Sequence, residues 1–352
     1  MRKCIIALGA VLGALAALAL GYAVYVLEGQ YRVPDMQALP VSQAAEGALE
    51  VGSAYTLVTW NLGFGAYSDD FSFFMDGGER ARAFSREAVE QNTDAMIARM
   101  RALSPDMLVL QEVDLDADRS RHVDQRERIE AAFPDMSACF ALNYDSPYLF
   151  YPLYEPIGRS RSGILTLSAA RMESGVRRSL PLEAGLSRLT DLDRCYSVCY
   201  FPLANGRTLC LYNLHLSAYT SDGSISTQQA QLLLSDMAAQ YALGNYALAG
   251  GDFNKDLVGD AASALGEGGA QYAWASAFPF ELLPEGVELY APRNAHTCRC
   301  ADAPYDPDTA FTVTLDGFLA TQNIEVLQCE TVDEGFAHSD HNPVLLRFRL
   351  AA

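Results

Sequence analysis

The side chains of this sequence best suited to chemistry fall at or just beyond the ends of short apolar runs. They are Asn61 in TWNLG, Glu112 in LQEVD, His215 in NLHLS, Asp252 and Asn254 in GGDFN, Asp316 in TLDGF, and Asp340 with His341 in HSDHNP. A strand end on a rigid scaffold aims its side chain into a cleft, so such residues can converge from distant parts of a chain. Carboxylates and a carboxamide together offer the oxygen ligands that a hard divalent cation prefers. A histidine beside an aspartate makes a proton acceptor with a fixed tautomer. Together such parts could neutralise charge, align a water and supply a donor for a leaving oxygen, as metal-assisted hydrolysis requires. Taken singly, each has a plainer explanation. A Glu after a strand faces water, G-D-x-N is a turn bonding its own backbone, a strand-end histidine is a satisfied core or surface group, and SDHNP is a capped turn. The ordered set is what separates them from that background.

The elements that must position them alternate along the chain. Strands are predicted at Tyr55 to Trp60 and Asp106 to Gln111, with a helix from Glu79 to Leu103 between them, closed by Ser104-Pro105. A second helix is expected over Arg119 to Phe133. Strands follow at Gly163 to Leu167, Ser197 to Leu203 and Thr208 to Leu216, then a helix from Ser226 to Leu243. Tyr246 to Ala249 reads as a short buried strand, and late strands at Phe311 to Leu315, Ile324 to Leu327 and Val344 to Leu350. This mixed order, without internal repeats, predicts an α+β fold, a packed pair of sheets flanked by helices rather than a doubly wound parallel sheet.

The ordered set from Tyr55 to Leu350 resembles the endonuclease/exonuclease/phosphatase superfamily, which includes deoxyribonuclease I, abasic-site endonucleases, sphingomyelinases and inositol polyphosphate 5-phosphatases. GDFN and SDHNPV are its most specific pieces. The resemblance implies a four-layer α/β/β/α sandwich of two mixed β-sheets between helices. It also implies a Mg²⁺ site, or Mn²⁺, with Glu112 as principal ligand, Asn61 in the metal shell and Asp340 as a further acid. By the same resemblance His341, oriented by Asp316, assists in-line attack by water. Asp252 competes for the role of base, and Asn254 holds a phosphoryl oxygen. A histidine at position 215 accompanies the deoxyribonuclease, sphingomyelinase and 5-phosphatase branches, while the abasic-site enzymes depart from it.

Before this region, Cys4 to Leu27 carries no charged side chain, and about 24 residues of helix span a ~30 Å hydrocarbon layer. Tyr22 and Tyr25 sit near one end like interfacial anchors. Ala17 and Ala19 form an A-x-A, but apolar residues continue past it, which favours an uncleaved anchor over a signal peptide. Arg2 and Lys3 precede the span, so the body is expected outside the cytoplasm on a single-pass anchor, with secretion after cleavage as the alternative. The expected division is an anchor at 1–29, a Pro-, Gly- and Ser-bearing tether at 30–53 and a catalytic domain at 54–352.

The chain has 352 residues and a net charge of −19, from 25 basic and 44 acidic groups, which excludes a generally basic nucleic-acid-coating protein. Its eight cysteines show no pair of CxxC motifs, so a zinc ribbon is not expected. Cys195 and Cys199 read as packed small hydrophobes. Asn143 and Arg161, in a Tyr- and Arg-bearing loop segment, and Arg299, in a second one, are candidates for substrate contact. The expected function is a Mg²⁺-dependent phosphoesterase, a phosphodiesterase hydrolysing a phospholipid or nucleic-acid phosphodiester by in-line attack of water, with no protein partner implied and with the choice among lipid, DNA, RNA and inositol phosphate left open. The alternative is a silent, membrane-tethered binding module of the same fold.

Overall fold

A computed structural model describes residues 2–29, 31–182, 192–218, 224–259 and 275–352. The chain opens with helix α1 (Arg2–Gly29), then β1 (Gln37–Leu39), β2 (Val41–Ser42), β3 (Ala54–Asn61), α2 (Arg86–Leu103), β4 (Met107–Ala117), α3 (Gln125–Ala132), β5 (Ser137–Asp145) and β6 (Ser160–Ser168). It continues through β7 (Ser174–Ser179), β8 (Cys195–Pro202), β9 (Thr208–His215), α4 (Ser224–Ala242), β10 (Tyr246–Asp252), β11 (Val287–Tyr290), β12 (Cys298–Arg299), β13 (Thr312–Val313), β14 (Asp316–Thr321), β15 (Ile324–Thr331) and β16 (Val344–Leu350). One seven-stranded sheet runs β1-β7-β8-β9-β10-β14-β11 and the other β15-β16-β3-β4-β6-β5-β2. Each is mixed: β9 with β10 and β3 with β4 are parallel, whereas β10 with β14 and β4 with β6 are antiparallel.

Period-two alternation explains the layers. Leu57, Met107 and Val109 of one sheet meet Leu211, Leu248 and Phe318 of the other in a shared core. Their neighbours Val58, Trp60, Leu108 and Leu110 turn outward onto Met96, Ile97 and Met100 of α2 and Ile129 of α3. On the opposite outer face, Tyr212, Ala247 and Ala249 pack under Leu233, Leu234 and Met237 of α4. The architecture is therefore the expected α+β sandwich of two mixed sheets between helices.

Several boundaries differ from the sequence expectation. α2 starts at Arg86, since the Ser85 side chain accepts from the Ala88 N–H, and it stops where Ser104 turns left-handed before Pro105. The segment expected as a tether contributes a strand to each sheet: β1 pairs with β7 and β2 with β5, and Val33, Ala45 and Leu49 are buried. β7 was not expected because SGVRRS has little apolar content. It is held by Arg177, which is wholly buried and donates to the carbonyls of Leu142 and Asp193. Cys195 and Cys199 are buried, as expected of packed small hydrophobes. α1 is long and apolar enough to cross a membrane, and its most apolar stretch is entirely exposed.

Candidate active site

The two sheets bring their functional strand ends to one edge. In the parallel pair β9 and β10, His215 lies opposite Asp252, and in the antiparallel pair β10 and β14 Asp252 lies opposite Asp316. Register alone thus places three of the predicted residues in a row. A Cβ on Gly251 would lie 2.1 Å from the Leu214 carbonyl oxygen, so this close approach of β10 to β9 needs glycine there. In the other sheet, β3 ends at Asn61 beside Gln111 of β4, and Glu112 follows in a β-bulge with φ of 52°. The bulge interrupts the alternation and turns Glu112 into the cleft.

The SDHN segment is tied to the end of β3 by the Ser339 hydroxyl, which donates to the Asn61 carbonyl at 2.8 Å, and by the Trp60 indole, which donates to the His341 carbonyl at 2.8 Å. Gly63 fits beneath it with φ of 49°, where a Cβ would stand 2.8 Å from Asp340 Oδ1. Asn61, Glu112, His215, Asp252, Asn254, Asp340 and His341 line one cleft together. Asp316 stands behind His341, with Oδ2 2.8 Å from Nδ1.

Asp252 Oδ2 is the hub of the arrangement. It accepts from Asn61 Nδ2 at 3.0 Å and lies 3.4 Å from His215 Nε2 and 3.8 Å from His341 Nε2. Asp252, Asp316 and His341 form a tight group of potential metal-ligating atoms. Asn254, with φ of 48°, donates its backbone N–H to Asp252 Oδ1 at 2.8 Å and its amide to the Leu216 carbonyl, which fixes the carboxylate from below.

Burial shapes the charges. It pulls the His341 imidazole down, but Asp316, Cys298 and Asp252 outweigh this and hold it well above the ordinary range. Burial, with the positive Arg194, His341 and Arg119, keeps His215 well below that range and therefore neutral. Asp252 is pushed up to about 6 by burial, which His341 opposes and Asp316 reinforces. Asp340 is pushed up to about 7, first by desolvation in the cleft, with His341 opposing and Glu112 adding to it.

A divalent cation fits this donor set. Glu112 and Asp340 are both partly exposed to the cleft and repel one another, with the carboxamide of Asn61 alongside. Three hard oxygen donors with unbalanced negative charge are what such an ion takes up. Glu112 is also 3.5 Å from the Arg119 guanidinium, but that group is committed to Asp114, with bonds of 2.8 and 3.1 Å.

The residues predicted to contact substrate fare differently. Asn143 and Arg161 do not line the cleft, because β6 and β5 lie outward of β4 in the sheet; Asn143 is buried, and Arg161 pairs with Asp145 at 3.4 Å. Arg299 does line it, yet its guanidinium donates to the carbonyls of Ser68 and Phe71, so it braces the wall. Tyr67, Phe73, Asp76 and Arg194 line the cleft without having been foreseen. Tyr67 sits in a loop, Phe73 in an isolated bridge to Arg80, Asp76 in a short 3-10 helix and Arg194 just before β8, with no strand-end motif to mark them.

Two mixed sheets between helices, with carboxylates and histidines converging at one strand edge, define a metal-dependent hydrolase of phosphoric ester bonds. The model of the Endonuclease/Exonuclease/phosphatase family matches residues 58–341, and the chain belongs to that family. The structure is similar to that of an endonuclease/exonuclease/phosphatase from Beutenbergia cavernae DSM 12333, with a TM-score of 0.58 and 18% identity, covering 85% of this chain and 72% of that one. It is also similar to ANGEL2, a 2',3'-cyclic phosphatase, with a TM-score of 0.54 and 15% identity over 90% of this chain and 99% of that one. D. rerio TDP2 complexed with single strand DNA product matches with a TM-score of 0.52 and 13% identity over 84% and 99% of the two chains. At these identities the likeness shows the shared fold. No curated protein matches the chain by sequence.

Proposed function

We propose that the chain is a Mg²⁺-dependent phosphodiesterase, held at a membrane by α1, that hydrolyses a phospholipid or nucleic-acid phosphodiester by in-line attack of water. The observation that carries this reading is the Asp252 hub, bonded by Asn61 and flanked by His215 and His341, in the same cleft as Glu112 and Asp340. Asn61, Glu112 and Asp340 would hold the cation, which would supply Lewis-acid neutralisation of phosphoryl charge; Mn²⁺ suits the same oxygens.

The rest falls to the chain's own groups. An ionised Asp252 only accepts hydrogen bonds, and it is fixed on both oxygens, so it is suited to orient the attacking water and take its proton. Asp316 holds His341 through Nδ1, leaving Nε2 free to donate to a phosphoryl oxygen as charge builds there. His215 flanks Asp252 on the other side and serves the leaving oxygen, and Arg194 adds positive charge to the wall. The division of labour makes Asp252 the base and His341 the electrostatic partner.

Placement outside the cytoplasm follows from Arg2 and Lys3 preceding the span, with release after cleavage as the other outcome. Calorimetry on the intact chain in detergent tests the reading. Wild type is expected to bind Mg²⁺ or Mn²⁺, and Glu112→Gln to weaken binding at least tenfold. Absence of any divalent-ion binding by wild type would contradict the reading and leave a silent tethered module.

A further inference from the structure

The loop between β5 and β6 exposes an unusual amount of apolar surface. Phe150 is 52% exposed, Tyr151 63%, Leu153 86% and Tyr154 68%, and Leu153 is the most exposed large hydrophobic residue among those described. Its base is firmly built. Leu149 and Gly158 exchange backbone hydrogen bonds of 3.1 Å, and the Ile157 N–H donates to the Tyr151 carbonyl at 3.0 Å. Arg82 donates to the Pro156 carbonyl and, at 3.1 Å, to the Tyr148 hydroxyl, while Glu155 accepts from the Ala81 N–H and pairs with Arg80. A braced loop with an apolar tip in water points to a missing apolar partner.

The neighbours of the loop say which partner. The Phe150 N–H donates to the Tyr22 hydroxyl at 2.9 Å and the Tyr148 N–H to the Tyr25 hydroxyl at 3.0 Å. The Tyr22 and Phe150 rings meet edge to face at 5.5 Å, and Val26 is buried against Tyr144 and Leu149. The loop therefore lies beside the last turns of α1, at the level of two tyrosines placed where a spanning helix leaves the hydrocarbon for the headgroups. On its other side Tyr151 packs on Phe74 at 5.5 Å, Phe74 on Phe73 at 4.9 Å, and Phe73 lines the cleft.

We propose that residues 148–155 form an interfacial wedge: Phe150, Tyr151, Leu153 and Tyr154 enter the boundary between headgroups and acyl chains of the bilayer that holds α1. The wedge fixes the tilt of the domain and brings the aromatic wall of the cleft to headgroup level. This inference rests on the reading of α1 as a membrane anchor, and it favours a lipid substrate over nucleic acid.

The test uses the full chain in phosphatidylcholine nanodiscs, with tryptophan introduced by Leu153→Trp, Leu15→Trp or Leu243→Trp and the emission of wild type subtracted. Quenching is measured with lipids brominated at a shallow or a deep acyl position. Leu153 and Leu243 are both largely exposed, so neither change disturbs packing. The Leu153→Trp reporter is expected to shift to the blue and to be quenched at least twofold by shallow bromines, Leu15→Trp to be quenched by deep bromines, and Leu243→Trp to be unaffected. Quenching of Leu15→Trp with Leu153→Trp behaving like Leu243→Trp would overturn the wedge and leave the anchor standing. No quenching of Leu15→Trp would overturn the anchor, and the wedge with it.

Discussion

Asp316 makes its contribution at second hand, through one 2.8 Å contact with His341. An aspartate at this distance accepts from Nδ1–H, keeping Nε2 toward the cleft; an asparagine could donate instead and favour the other tautomer. Asp316→Asn is expected to lower kcat by about 10²- to 10⁴-fold, with KM for a small phosphodiester and Mg²⁺ affinity little changed. Steady-state kinetics beside calorimetry would check this, and a kcat within twofold of wild type would contradict the role given to the pair. At this scale the sequence is most informative where a polar residue adjoins an apolar run: Asn61, His215 and Asp252 close strands, Asp316 opens β14 instead of following a strand, Glu112 sits in a bulge within β4, and the set still converges. Where a residue acts from a loop, sequence said little. Arg194 and Tyr67 carry no local mark, and Asn143 and Arg161 had suitable chemistry in strands too far out in the sheet.

Strands do more than carry these residues, because the distance between the two sheets sets the width of the cleft. A buried amide network fixes it at the floor. Gln111 of β4 donates to Asn213 Oδ1 at 2.8 Å, and Asn213 of β9 donates to the carbonyls of Leu110 and Leu165 at 3.2 and 3.1 Å. Gln111 precedes Glu112 directly and Asn213 lies two residues before His215, so the bridge locks the Glu112 side of the cleft to the histidine side. Asn213→Leu removes one partner from Gln111, which keeps Thr59 and the Val109 carbonyl, and one from each of two carbonyls, and is expected to destabilise the fold by ~1–3 kcal/mol and to lower kcat. A urea midpoint unchanged from wild type would show that the bridge contributes nothing. Strands such as β3, β4, β9 and β10 were legible because their apolar residues are continuous and end in a polar signal. β1, β2 and β7 were not, since each is short or polar and exists only because a neighbouring strand and groups such as Arg177 satisfy it. No local pattern could reveal the Gln111–Asn213 bridge, whose partners are far apart in sequence.

For the whole molecule, the net charge of −19 and the apolar helix pose one question: how would an acidic protein engage the anionic phosphodiester proposed as its substrate? On the proposed function the cleft answers it by bringing Glu112, Asp252 and Asp340 together, with Asp316 behind His341, where a divalent cation would reverse the local sign, and Arg194 and His341 face the same space. If α1 spans a membrane as proposed, the aromatic loop beside it would set that cleft at the membrane surface. The most direct test of the proposed function is hydrolysis of bis(p-nitrophenyl) phosphate by the purified full chain, with Mg²⁺ and with excess chelator, alongside Glu112→Gln and His341→Ala. Mg²⁺-dependent turnover is expected, abolished by chelation and lowered by each substitution by about 10²-fold or more. Turnover that survives chelation, or that either substitution leaves unchanged, would contradict it.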